Sequence, residues 1–483
     1  MHRIMFLGFL VLAVGACGDD DGHEHGVDAG TDGPGGGPDA APFGQRVYVA
    51  HEGSLVSYSA STGAEQPGAV QNVTGPVDIQ ALADGTIMVN LTGRNEVLVL
   101  DGRTMLETTR VASSGSTGTR PVHSYITPPI AGKTYWVALN DGDGTAPTNS
   151  AAFIDVTPGS ATRFQRVGEV TLGIGHHKAT FSPTMARMVA SNIGDCDNAM
   201  SVYDFSDLGN ITTLATLTGA EAGFDHAEPP GSGFDPLYCD PTFTKGLPPA
   251  PHGCATAPAS GKGYCSITSS GDMVAIDFDS ASPTFTLLPT NGTGGGFTLA
   301  HPGGRYLYTM QETPREGDGG TNCQIGQVVV TDSMSDTVVT QFPVRYLGPS
   351  CADALTGTPA ETANPGGHVY FSHDGNTLFI PANGGFNVTD ARVNQVIVLD
   401  TANPASPVQL ESITVGMHTG HSASALSGDG TRLFVVNVVD GSVSVVDTAS
   451  RAVSATITVE AMPKTVATYG SAEGPGHQVG PIE

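Results

Sequence analysis

Histidine stands out in this chain by position rather than by number. His123, His177, His252, His368 and His421 each lie a few residues ahead of a turn, in front of the segments SYITP, KATFSP, GCATAP, VYFSHDG and SASALSGDG. Asp78 holds the matching place ahead of IQALADG, whereas the similar segment that opens at Phe297 has no ligand type there. If one repeated element carries these residues to the same height, five imidazoles and a carboxylate converge on one opening. Imidazole nitrogen with carboxylate oxygen is a donor set typical of zinc, and by affinity order it also takes copper, nickel or cobalt. His176 and His418 stand beside the ring and are placed to substitute in it or to support its ligands. The plain alternative for any one of these histidines is a polar cap bonded to water or backbone. Five at equivalent places, out of 15 in the chain, argue against coincidence.

The element that must position them is a four-stranded repeat. From His421 the chain runs through a short strand, a Ser-Gly-Asp-Gly turn, a Val-rich strand, Asp-Gly, a second alternating strand, Asp-Thr-Ala-Ser and a fourth strand. Apolar alternation at period two, cut by Gly and Asp, is the signature of antiparallel hairpins. The order recurs from His368 and from Asp78, and in weaker copies near His123, His177, His252 and Phe297. Spacings of roughly 45 to 75 residues are those of propeller blades with insertions. The fold starts with RVYVAHEGSLVSYSASTG, which reads as the second and third strands of a blade, and ends with TVATYG, a lone first strand. Seven repeats plus this composite predict an all-β propeller of eight four-stranded blades, with seven as the runner-up. The shared blade leaves no open sheet edge. In a propeller the first strand of each blade lines the central channel, so its first residues lie at one mouth.

The ends of the chain read differently. Met1-His2-Arg3, the apolar stretch from Ile4 to Val14 and Val14-Gly15-Ala16-Cys17 match a bacterial lipoprotein signal over 1–17, with Cys17 as the lipid-bearing residue. An acylated cysteine with several chains anchors stably. Residues 18–44 are Gly, Asp and Pro with little to bury, and form a tether. Within it Asp19-Asp20-Asp21, His23, Glu24 and His25 offer loose capture of a divalent ion. The propeller is expected over 45–472 and a tail over 473–483. Gly18 after the cysteine favours the outer membrane over the inner.

Composition narrows the partners. There are 47 acidic residues against 20 basic ones, a formal net charge of −27, which argues against nucleic acid or an anionic membrane surface and suits cations. Membrane contact is expected through the lipid alone, and the chain is expected to be a monomer. Six cysteines besides Cys17 suggest disulfides in an exported protein. Cys323 with Cys351 is the favoured pair, since both sit in the insertions of one repeat. Cys254 and Cys265 flank the turn from Pro258 to Gly261 and are placed to face each other across a hairpin. No CxxCH, CxxC, GxSxG or HExxH motif is present, nor a Ser-His-Asp set at a recognisable spacing, so no enzymatic activity is expected. Asn140-Asp141-Gly142-Asp143-Gly144-Thr145 lacks the distal Glu of a calcium loop.

The segment VSVVDTASRAVSATITVEAMPKTVATYG resembles the YVTN class of propeller repeats. Over most of the folded region the chain also resembles the periplasmic zinc metallochaperones of the AztD type, propellers that pass zinc to the solute-binding protein of an ABC importer. The matching residues are RVYVA at 46–50, Pro121-Val122-His123, Gly175-His176-His177, His252-Gly253 with Ala255 and the later Cys265, Gly420-His421, and the last repeat. The resemblance implies zinc as cargo, His123, His177 and His252 as ligands with Asp78 as the carboxylate, and a His- and acid-rich N-terminus that captures metal. This chain departs from it in having only two tether histidines and a lipid anchor. Two other readings compete: a surface scaffold that binds through the insertions at 219–250 and 311–325, and a metal-dependent propeller hydrolase or lactonase in which the ion activates water.

Overall fold

The structure is a computed structural model that describes residues 46–115, 118–142, 148–175, 178–193, 195, 197–219, 221, 251–267, 271–290, 296–311, 316–317, 322–347, 368–382, 392–419, 424–459 and 463–468. These residues form only strands and turns, with no helix among them, and no helix among them is long and apolar enough to cross a membrane. Eight antiparallel sheets follow one another along the chain as the blades of a propeller. Blade 1 joins the two ends: Pro463–Thr468 pairs with Arg46–His51, which continues into Gly53–Ser59 and Glu65–Val73. Blades 2 to 8 then open with the inner strands Pro76–Ala81, Pro121–Ile126, Ala179–Phe181, Pro251–Thr256, Thr298–Ala300, Tyr370–Phe371 and Ser424–Leu426. The eight-bladed expectation and the composite closure are both met. Blade 6 carries one addition, a two-residue strand Glu316–Gly317 paired to Asn322–Asp332.

Packing explains why the ring closes. In the strand Arg46–His51, Val47 and Val49 point one way, into a cluster with Phe434, Val436, Val443 and Val445 of blade 8. Tyr48 and Ala50 point the other way, onto Ile79, Ile87 and Val89 of blade 2. Period-two alternation therefore gives each blade two apolar faces, one for each neighbour. A buried cluster of this kind lies between every adjacent pair of blades. Truncating a large side chain in one of them costs about 2–5 kcal/mol. The fourth strands face solvent and are polar, as in the largely exposed Leu106–Ala112 and Ala452–Thr458. Between blades 5 and 6, where the cluster is built partly from alanines, Tyr264 Oη and Lys262 Nζ both bind the Asp336 carboxylate at 2.5 Å.

Antiparallel order also sorts the connections. Links from second to third strands, and from one blade to the next, leave on the face where the inner strands begin. The strand ends Leu217 and Pro251, Leu347 and Tyr370, and Pro381 and Arg392 lie on that face. The opposite face carries tight turns such as Leu82 to Thr86 and Ser427 to Arg432.

Candidate functional site

A single backbone hydrogen bond sets the register of the inner strands. The N–H of Leu82, Thr127, Ser182, His301, Ser372 or Ser427 closes the inner hairpin on the carbonyl of Thr86, Tyr135, Arg187, Tyr306, Thr377 or Arg432. Four residues before the first five of these donors stand Asp78, His123, Lys178, Phe297 and His368. These are structurally equivalent positions at the start of the inner strands of blades 2, 3, 4, 6 and 7. In blades 2 and 3 a β-bulge after Pro76 and Pro121 turns Asp78 and His123 to this place. In blade 5 the bulge falls later, between His252 and Cys254, and the ring side chain is His252. Gly253 makes that bulge possible: its φ is +50°, and an added Cβ would collide with the carbonyl oxygen of Gly296 in the next connection.

Every one of these side chains is buried. Asp78 receives two hydrogen bonds on Oδ2 from blade 3, from the Ser124 N–H at 2.8 Å and its hydroxyl at 2.6 Å. Burial raises the Asp78 carboxyl to about 8, against the opposing effects of the Ser124 hydrogen bonds and the Lys178 charge. Oδ1 of Asp78 is buried with no hydrogen-bond partner among the described residues. Lys178, only 1% exposed, extends its Nζ to 3.3 Å from Nδ1 of His123 and 4.8 Å above the Phe297 ring. A buried ammonium is costly unless such partners surround it. Phe297 in turn lies between His252 and His368, 5.6 Å from each ring.

Donor and acceptor rules fix the protons. An ammonium only donates, so Nδ1 of His123 accepts and the ring carries its proton on Nε2. A carbonyl only accepts, so His252 donates from Nδ1 to Gly296 O at 3.3 Å and holds its lone pair on Nε2, a form that ligates metal.

Of the residues that the sequence singles out, the structure brings Asp78, His123, His252 and His368 to one mouth, with Phe297 in the place expected to lack a ligand. His176, His177, His421, the side chain of His418, Cys17 and the tether residues His23 and His25 lie outside the described residues. Sequence reasoning missed Lys178. The position in blade 4 equivalent to His123 is this lysine, one residue beyond His177, and counting back from the Ser182 turn finds it. Among the described residues no three His, Cys, Asp or Glu side chains are grouped closely enough to hold a metal ion, because Lys178 and Phe297 stand between the imidazoles. Cys254 and Cys265 form a disulfide across the inner hairpin of blade 5, directly opposite each other with Cα atoms 4.1 Å apart. Of the expected pair Cys323–Cys351, the side chain of Cys323 and the whole of Cys351 lie outside the described residues.

Fold and site thus define an eight-bladed β-propeller with a buried polar ring closing one channel mouth. No family model and no curated protein sequence matches the chain. Among solved structures it is similar to apo AztD from Citrobacter koseri, at 13% identity and TM-score 0.51 over 87% of this chain and 97% of that one. It is also similar to the dihydro-heme d1 dehydrogenase NirN, at 11% identity and TM-score 0.54 over 89% of this chain and 76% of that one. A third likeness is to hydrazine synthase from Kuenenia stuttgartiensis, at 16% identity and TM-score 0.50 over 78% and 97%. At these identities the likeness is one of propeller fold.

Proposed function

We propose that the chain is a lipid-anchored cell-envelope propeller that takes up a divalent metal ion, zinc first, as cargo at the channel mouth. In this reading it hands the ion to the solute-binding protein of an ABC importer, as the resemblance to AztD-type chaperones implies. The carrying observation is the common register of Asp78, His123 and His368, with His252 one residue out of that register at the blade 5 bulge, and Oδ1 of Asp78 buried and lacking a hydrogen-bond partner among the described residues. A buried carboxyl oxygen with no hydrogen-bond partner among the described residues is a group that a divalent cation would satisfy, in exchange for the proton that burial keeps on Asp78 below about pH 8. His177 of the AztD-like motif is a further ligand in this reading, while His23 and His25 in the tether serve capture. Cys17 holds the chain at the membrane, within reach of an importer.

The test is a zinc titration of the full chain in detergent against a chromophoric chelator. One tight zinc per chain, abolished in His123→Ala/His252→Ala with the thermal transition retained, is the expected result. Equal zinc affinity in the double variant removes the ring as the site and leaves the surface-scaffold reading, with the connections on that face as its binding loops.

A further inference from the structure

We infer that the propeller is held to the membrane by the face opposite its channel mouth, so that the mouth face is turned away from the bilayer, toward a soluble protein of the same compartment. The inference rests on the lipid-anchor reading of Cys17 and is independent of what the mouth binds. Inner strands begin on the mouth face, so the antiparallel second strands begin on the face of tight turns. In blade 1 the register sets Val47 opposite Thr468, and His51 opposite Pro463 at the start of the inner strand. Arg46, where the chain enters this blade, therefore stands on the turn face, and the inner strand ends on the same face at Thr468. Arg46 is fastened there. Its guanidinium donates from Nη1 to Arg103 O at 2.7 Å and to Gly102 O at 3.3 Å, in the turn that follows the third strand of blade 2.

Length and charge turn this entry point into an orientation. A chain with the Gly, Asp and Pro composition and length of residues 18–45 has a root-mean-square reach of about 30 Å. To bring the mouth to the bilayer it would run about 10 Å outward past the third and fourth strands and about 20 Å up the height of a six-residue strand, which exhausts that reach. The turn face in its turn does not lie down on lipid. Asp101, Asp207, Asp279, Asp374 and Asp429 are exposed in its turns. Lys133, Arg163, Lys262 and Arg305 on the same face are already paired with other aspartates. An anionic headgroup layer repels such a surface within a Debye length, about 8 Å at physiological salt. The propeller thus stands off the bilayer with its mouth outward, and a protein that docks on the mouth face approaches through water.

The experiment places a donor dye, through an azide-bearing phenylalanine, at Ala83 on the turn face or at Arg94 on the mouth face, both exposed and both in blade 2. The full lipidated chain is reconstituted on vesicles of phosphatidylethanolamine and phosphatidylglycerol that carry an acceptor dye on the headgroup. Energy transfer should be about twofold or more stronger from Ala83 than from Arg94, since the two faces lie about 20 Å apart. Equal transfer, or stronger transfer from Arg94, overturns the orientation and leaves the anchor standing. Flotation with the vesicles reads the anchor by itself: a full chain that does not float removes the lipid reading and the orientation with it. The chain lacking residues 1–17 should show transfer from neither site, and transfer from it would mean that the propeller adheres to lipid directly, against the inference.

Discussion

Ser124 of blade 3 donates twice to the same carboxylate oxygen of Asp78 in blade 2, from its N–H at 2.8 Å and its hydroxyl at 2.6 Å. The neighbouring oxygen of Asp78 is left without a hydrogen-bond partner among the described residues. The pair thus does two things: it ties adjacent inner strands together, and it orients the Asp78 carboxyl group. Ser124→Ala removes the hydroxyl bond and should lower stability by about 2 kcal/mol in urea unfolding, the range for a bond to an acidic group in a buried site. Asp78→Asn, which leaves an acceptor for Ser124, should fold with a smaller loss. A stability change near zero for Ser124→Ala would mean that the oriented carboxylate is not held from blade 3.

A second prediction concerns pH and a histidine away from the ring. His301 sits buried between blades 6 and 7, donating from Nε2 to Gly375 O at 2.9 Å and accepting on Nδ1 from the Gly303 N–H at 3.0 Å. Both contacts require the neutral ring, and burial lowers its pKa from the ordinary histidine value, against the raising effect of the Gly375 bond. The unfolded chain therefore binds the proton more readily than the folded one, so the stability His301 contributes is present above about pH 6.5 and is lost as pH falls below it. In thermal melts from pH 7.5 to 5.5, His301→Gln should start less stable than wild type and decline less. Parallel decline of the two would show that His301 does not carry this dependence.

The hairpin of blade 5 makes a third case. Cys254–Cys265 closes a loop of sequence separation 11, and replacing both cysteines by alanine should cost about 3 kcal/mol. Mass spectrometry of the unreduced, denatured chain should find these two residues cross-linked. Gly253→Ala places a side chain at φ +50° and against the Gly296 carbonyl, and should cost more than about 2 kcal/mol. Free thiols at both positions in the unreduced chain would contradict the pairing.

The blades were legible in the sequence because Val-rich alternation and Gly-Asp turns report directly on hairpins, and the lone TVATYG strand announced the shared blade. The ring was legible in part. Asp78, His123, His252 and His368 precede their turns visibly, but a β-bulge adds one residue without disturbing the apolar alternation that follows. Position within a strand start is therefore ambiguous by one. In blade 4 the inner strand begins without proline or bulge, two adjacent histidines draw the eye, and Lys178 is the residue in register. Blade 5 shows the same ambiguity from the other side, since only the positive φ of Gly253 puts His252 at the mouth.

The anchor yields a fourth prediction from the sequence of the leader. Cys17→Ser should turn a protein that partitions into detergent into one that stays uncleaved or is released into the aqueous phase. Unchanged partitioning would remove the lipid from the account, and with it the reason for holding the propeller near a membrane importer.

Crystals of the chain soaked in zinc, with diffraction recorded on either side of the zinc absorption edge, test the central claim most directly. The account predicts one strong anomalous peak at the channel mouth, about 2.0–2.2 Å from a carboxylate oxygen of Asp78 and from imidazole nitrogens of the ring. A mouth without a peak and zinc only at scattered surface carboxylates would contradict it.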